Sequence, residues 1–201
     1  MQLMKKFIRF FFGHFLYHVH YENIAYLKGV DKCLICPNHS NIFDPTFIYP
    51  VADALYIMAK DEIFKNKIIS KFLNHYNVFP VNRQKTDVKS MMTSLQIFEN
   101  VEKRRLLIFP EGRVVQKDLD VGKFYKKGAV YIAATLNIPI IPVYITRRPR
   151  YFSKVNVIFG EAIYIDKKSL NSKEEILNKS KELINKIYSL KEQKRTLINF
   201  I

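Results

Sequence analysis

The chain has 201 residues, 48% hydrophobic and 25% charged, which is enough for one domain with a real core and excludes a disordered or fibrous polymer. Lys and Arg number 33 against 18 Asp and Glu, and the net charge of +15 implies an acidic partner: anionic lipid, a phosphorylated substrate, an acidic carrier or nucleic acid. Two cysteines exclude a disulfide framework.

Residues 1–21 are aromatic and apolar but interrupted by Lys5, Lys6 and Arg9. The uncharged run from Phe10 to Tyr21 is too short and too polar to span a bilayer, and it lacks the cleavage site of a signal peptide. The spacing predicts a helix with Gln2, Lys5, Lys6, Arg9 and Gly13 on one face, and Leu3, Phe7, Phe10, Phe11, Phe15 and Val19 around the other. Such a helix suits an anionic membrane interface, or it packs on its own domain. We divide the chain into this arm, residues 1–21, and one domain, residues 22–201.

Ile24–Lys28 and Lys32–Cys36 read as strands, the second buried. After the polar stretch 37–44, Pro45 opens a helix running to about Leu55. Strands are expected at Tyr56–Ala59, Asn77–Val81, Arg105–Phe109, Ile138–Ile145, Lys154–Phe159 and Ala162–Ile165. Helices are expected at Ile63–Asn74, Thr86–Lys103 and Gly128–Leu136, and a last one opens on the capping box Ser172-x-x-Glu175. Alternating strands and helices predict a mixed, mostly parallel α/β sheet covered by helices, with functional groups at the carboxyl ends of the strands.

Three polar clusters lie where strands end. His39 and Asp44 have the spacing of an imidazole base and the carboxylate that orients it, although Asp44 before Pro45 also fits a helix N-cap. Arg83 can hold a phosphate or carboxylate by a bidentate fork, or sit solvated at a strand end. Glu111-Gly112-Arg113 forms a Gly turn that can expose N–H groups to an anion, or is an ordinary turn. Cys33 and Cys36 lie three apart on a strand and so face opposite ways, which argues against a redox or zinc pair. His14 and His18 are one helical turn apart, but an interfacial helix explains them without a metal. P-loop, G-x-G-x-x-G and G-x-S-x-G motifs are absent.

Together the clusters resemble the glycerolipid acyltransferase family, in particular bacterial 1-acylglycerol-3-phosphate acyltransferases of the PlsC type. Asn38-His39-Ser40-Asn41-Ile42-Phe43-Asp44 is similar to that family's Asn-His-x4-Asp block. Val78-Phe79-Pro80-Val81-Asn82-Arg83, Phe109-Pro110-Glu111-Gly112-Arg113 and Ile138-Pro139-Ile140-Ile141-Pro142-Val143 resemble the blocks that follow, in order, and the likeness spans residues 24–165. The resemblance implies a glycerol-3-phosphate acyltransferase-like fold and transfer of an acyl group from a thioester to a lysophospholipid hydroxyl. In it, His39 is the general base and Asp44 orients it. Arg83 binds the acceptor phosphate, and Glu111 and Gly112 shape the acceptor site. The implied donor is acyl carrier protein or acyl-CoA, with no metal or other cofactor. The implied place is peripheral, on the cytoplasmic face of an anionic membrane, and nucleic acid is not an expected partner. The family's third block usually continues Gly-Thr-Arg-Ser. Here Val114 stands at the usual Arg position, so Arg113, or Lys123, Lys126 or Lys127, takes the phosphate, or the acceptor is another lysolipid or an ornithine lipid. A non-catalytic basic module for anionic lipid or nucleic acid is the alternative from a different class.

Overall fold

The computed structural model describes residues 2–81 and 88–198. The buried apolar run of β2 (Lys32–Pro37) is its centre. A strand with apolar groups on both faces has to be covered on both. Cys33 and Ile35 face one core cluster, and Leu34 and Cys36 face the other. The two thiols are free, buried and on opposite faces, and burial pushes that of Cys33 up to about 12.

Seven strands form one sheet in the order β1-β7-β6-β2-β5-β3-β4. They are β1 (His18–Glu22), β2, β3 (Leu55–Lys60), β4 (Val78–Val81), β5 (Arg104–Leu107), β6 (Ile140–Ile145) and β7 (Lys154–Phe159). Every neighbouring pair is parallel except β6 and β7. The first core cluster is covered by α1 (Gln2–Phe10), a π-helical turn (Phe11–Phe15), the short α2 (Ala25–Lys28), α3 (Asp44–Ile48) and α4 (Lys67–His75). The second is covered by α5 (Val88–Gln96), α6 (Gly128–Leu136) and α7 (Lys173–Ile198). Among the described residues no helix is long and apolar enough to cross a membrane.

Several local expectations change. Helical structure in the arm ends at Phe15, and His18–Glu22 is an edge strand paired with β7, because non-local pairing overrides the helical spacing. Ile24–Lys28 is helical rather than extended, and opens on Asn23 in a left-handed conformation. The helix expected from Pro45 to Leu55 stops at Ile48, and strand pairing at Ala162–Ile165 shrinks to a bridge between Ile163 and Ile140. Ser172 Oγ accepts from Glu174 and Glu175 N–H, but the Glu175 carboxylate turns to Ser169 Oγ instead of completing the box.

Candidate active site

β2, β5 and β6 run parallel and end together, so the segments after them meet at one edge of the sheet. The first residue past β2, Asn38, is fully buried. Its Nδ2 donates to Ile145 O (3.0 Å) and its Oδ1 accepts from Ile145 N–H (2.7 Å), so a side-chain amide continues the strand pairing and fixes where His39 begins. The His39 backbone is held at both ends. Its N–H donates to Glu111 Oε2 at 2.6 Å and its carbonyl accepts from Val115 N–H at 2.7 Å. The imidazole stacks on Phe109 with centroids 3.9 Å apart.

Asp44 is completely buried, and its Oδ2 gathers His39 Nδ1 (2.9 Å), Ser40 N–H (2.7 Å) and Asn41 N–H (2.9 Å). A carboxylate that takes two backbone N–H groups is an acceptor, so the imidazole proton sits on Nδ1 and the lone pair is left on Nε2. The N-cap reading of Asp44 fails. Its side chain serves residues before it, and α3 starts with no side-chain cap. Asn41 Oδ1 accepts from Phe43 N–H and closes the turn.

Glu111 is also buried. One oxygen holds His39, and Oε1 accepts from Tyr188 Oη of α7 at 2.7 Å. Burial raises the carboxyl above the usual glutamate range, against the opposing pull of Tyr188, the His39 N–H and Arg147. Arg147 reaches Tyr188 Oη (3.3 Å) and Asp118 (3.1 Å), which extends the network to the segment after Glu111.

Beside Glu111 opens a cavity of about 780 Å³, lined by Lys60, Gly112, Arg113, Val114, Lys123 and Lys126 among others. Gly112 takes φ of +68° there, and a Cβ would meet Lys126 Cγ at 2.7 Å. Arg113 lies over the Phe124 ring at 4.7 Å. The four cations suit a phosphate-bearing substrate. The structure thus brings His39, Asp44 and Glu111 into contact and sets Gly112 and Arg113 along an adjoining basic cavity. Arg83 lies outside the described residues. Sequence reasoning missed Lys60 and Tyr188. The signal for Lys60 was its place at the end of a strand. Tyr188 is 77 residues from Glu111, and nothing local in the sequence marks their contact. Among the described residues no cluster of metal-binding side chains occurs.

A family model described as Acyltransferase matches residues 18–146. The chain belongs to this acyltransferase family. The match covers every element that builds the site except Arg147 and α7, which brings Tyr188 to Glu111 and Leu177 to the cavity wall. Among curated relatives, a 1-acyl-sn-glycerol-3-phosphate acyltransferase of Bacillus subtilis (strain 168) is 31% identical over 128 residues, covering 61% of this chain and 61% of the relative. One of the same name from Streptococcus pneumoniae (strain ATCC BAA-255 / R6) is 26% identical over 130 residues, covering 63% of this chain and 46% of the relative. The aligned part therefore spans less than two thirds of either relative. The crystal structure of the 1-acyl-sn-glycerophosphate (LPA) acyltransferase, PlsC, from Thermotoga maritima superposes with a TM-score of 0.69 at 20% identity, covering 96% of this chain and 79% of that one. It shares the fold, a mixed, mostly parallel sheet between helices.

Proposed function

We propose that this acyltransferase-family chain moves a fatty acyl group from a thioester of acyl carrier protein or CoA to the free hydroxyl of a lysophospholipid, 1-acylglycerol-3-phosphate in the first instance. The observation that carries the mechanism is Asp44 Oδ2, which holds His39 Nδ1 at 2.9 Å together with two backbone N–H groups. With Nδ1 thus protonated, Nε2 takes the proton of the acceptor hydroxyl as its oxygen attacks the thioester carbonyl. The carbon–sulfur bond then breaks, the ester forms, and the proton passes from the imidazolium to the departing thiolate. Asp44 stabilises the imidazolium between these steps. Arg83 and the cations Arg113, Lys126 and Lys60 hold the acceptor phosphate.

The outer side of α1 supports contact with an anionic membrane surface. Leu3, Phe7 and Phe10 are exposed there, and Phe15, at the end of the π-helical turn, is exposed too and meets the exposed Phe152 edge-on. Ile42, inside the His39–Asp44 loop, is 73% exposed, and its neighbour Phe43 packs on Phe12 of the π-helical turn. The apolar rim therefore borders the proposed site, where a lipid acceptor would enter.

One observation favours a second acceptor class. Val114 lines the cavity where the family's pattern carries Arg, so a lysolipid or ornithine lipid without a terminal phosphate is the competing acceptor. Radiolabelled acyl transfer by purified protein, with both donor types and a panel of lysolipids, tests the whole reading. His39→Ala is expected to lose about 10²–10⁴-fold in rate. Full activity of that variant would remove His39 as the base.

A further inference from the structure

α4, like α1, differs from the other helices that cover the sheet. None of its residues is buried. Leu73 and Tyr76, just past its end, pack on the core, as does Phe64 ahead of it. The rest of its apolar stripe faces solvent: Ile68 is 82% exposed, Phe72 53% and Ile69 44%. A surface helix normally turns such a stripe inward. The helix is nonetheless well formed, because Asn66 Oδ1 accepts from the N–H groups of Ile68 (3.0 Å) and Ile69 (3.2 Å).

Along α4 and its flanks the charge has one sign. Lys65, Lys67 and Lys71 flank it and are exposed, and the chain carries no Asp or Glu from Ile63 to Thr86. The stripe is linked to the arm through packed side chains, of which Tyr49 is buried. Lys5 of α1 lies over the Tyr49 ring at 5.7 Å, Tyr49 meets Tyr76 edge-on, and Tyr76 packs on Phe72 with centroids 4.8 Å apart. The exposed side chains of α1 and of α4 thus belong to the same layer, on the same face of the sheet.

We infer that α4 is a second membrane-contact helix, which lays Ile68, Ile69 and Phe72 into the headgroup boundary of an anionic bilayer while Lys65, Lys67 and Lys71 pair with lipid phosphates. This rests on the reading that the molecule works at a bilayer, and it adds a contact that is separate from the arm. Two helices of one layer, each with exposed apolar groups beside basic ones, fit an extended apolar phase better than a compact protein partner. The lysines favour anionic over neutral lipid, because each basic group near an anionic surface strengthens binding about fivefold.

The chain has no tryptophan, so Ile68→Trp makes one emitter at a solvent-facing position that the fold does not need. Its emission is read with vesicles of phosphatidylcholine, alone or mixed with phosphatidylglycerol, and with brominated phosphatidylcholine as quencher. A blue shift and quenching on the anionic vesicles are expected. Ile68→Ser with Phe72→Ser should lower vesicle partitioning about tenfold or more, and Lys67→Gln with Lys71→Gln should do so on anionic vesicles only. Emission that stays at its aqueous position on vesicles that do bind the protein would overturn the inference and leave the arm standing. When Phe7→Ser and Phe10→Ser are added to the Ile68→Trp variant, binding that survives with its emission still quenched would support α4 and count against the arm. No vesicle binding at all would remove both. A shift without lipid as protein concentration rises, or with acyl carrier protein but not with vesicles, would reassign the stripe to self-association or donor docking and overturn the proposal.

Discussion

Asp44 illustrates how one oxygen can fix the chemistry of a neighbour. In Asp44→Asn an amide oxygen in the Oδ2 position can still accept from Ser40, Asn41 and His39 Nδ1, but it carries no charge to offset an imidazolium, and its NH₂ takes the place of Oδ1, a buried atom with no hydrogen-bond partner. With the counter-charge to the imidazolium gone, a loss of about 10²–10⁴-fold in rate is expected if His39 is the base, and the buried NH₂ without an acceptor should cost about 1–3 kcal/mol in unfolding. Asp44→Ala should also destabilise the fold by about 1–3 kcal/mol for each N–H left unsatisfied, read from denaturant midpoints. Glu111 gives a pH signature. Its carboxyl titrates above the unfolded value, so the stability it contributes is complete below the ordinary glutamate range and is lost as pH rises through its raised folded value. Glu111→Gln is expected to remove that decline, with a slope of at most about 1.4 kcal/mol per pH unit, in unfolding measured from acid to neutral pH. The pairing of His39 with Asp44 was legible in the sequence because both lie on one turn. The engagement of Glu111 was not. The resemblance gave it a part in shaping the acceptor site, and it does border the cavity, yet both its oxygens are taken by His39 N–H and Tyr188.

At the scale of elements, α7 is a working part of the site through Tyr188. Tyr188→Phe leaves Glu111 Oε1 without its donor and should cost about 1–2 kcal/mol of stability. If the network positions His39, kcat falls while the acceptor KM holds, a split that steady-state kinetics reads directly. The close approach of α7 to β7 is equally specific. A Cβ on Gly160 would meet Pro142 Cγ at 2.9 Å and Leu190 Cδ2 at 3.0 Å, so Gly160→Ala is expected to lower stability by about 1–3 kcal/mol in a thermal melt. β2, β3 and β6 were readable because a continuous apolar run has few alternatives, and β7 because its first residues alternate; all four stand within two residues of their expected bounds. β1 was not. It alternates polar and partly buried residues, with His18 and His20 exposed, and only its pairing with β7 makes it a strand.

For the whole molecule, composition constrained the partner more than the topology. The charge of +15 is consistent with an anionic surface, and binding to anionic vesicles is expected to weaken as salt is raised from low to about 0.5 M. Phe7→Ser with Phe10→Ser should lower transfer to a bilayer-borne acceptor about tenfold or more, yet leave transfer to a short-chain soluble acceptor unchanged. Strand order could not be read, since it depends on pairings between distant segments, and it has a bearing on function. β7 runs against β6 and carries β1 with it, so β1 begins at the end of the sheet where β2 and β6 finish. Had β7 followed its neighbours, the arm would join the sheet at the opposite end, about 17–20 Å away along the strands. The reversal of a single strand thus acts as a mooring: it brings the foot of the arm to the doorway of the His39 loop, so that tilting the molecule on a surface would turn the doorway with it.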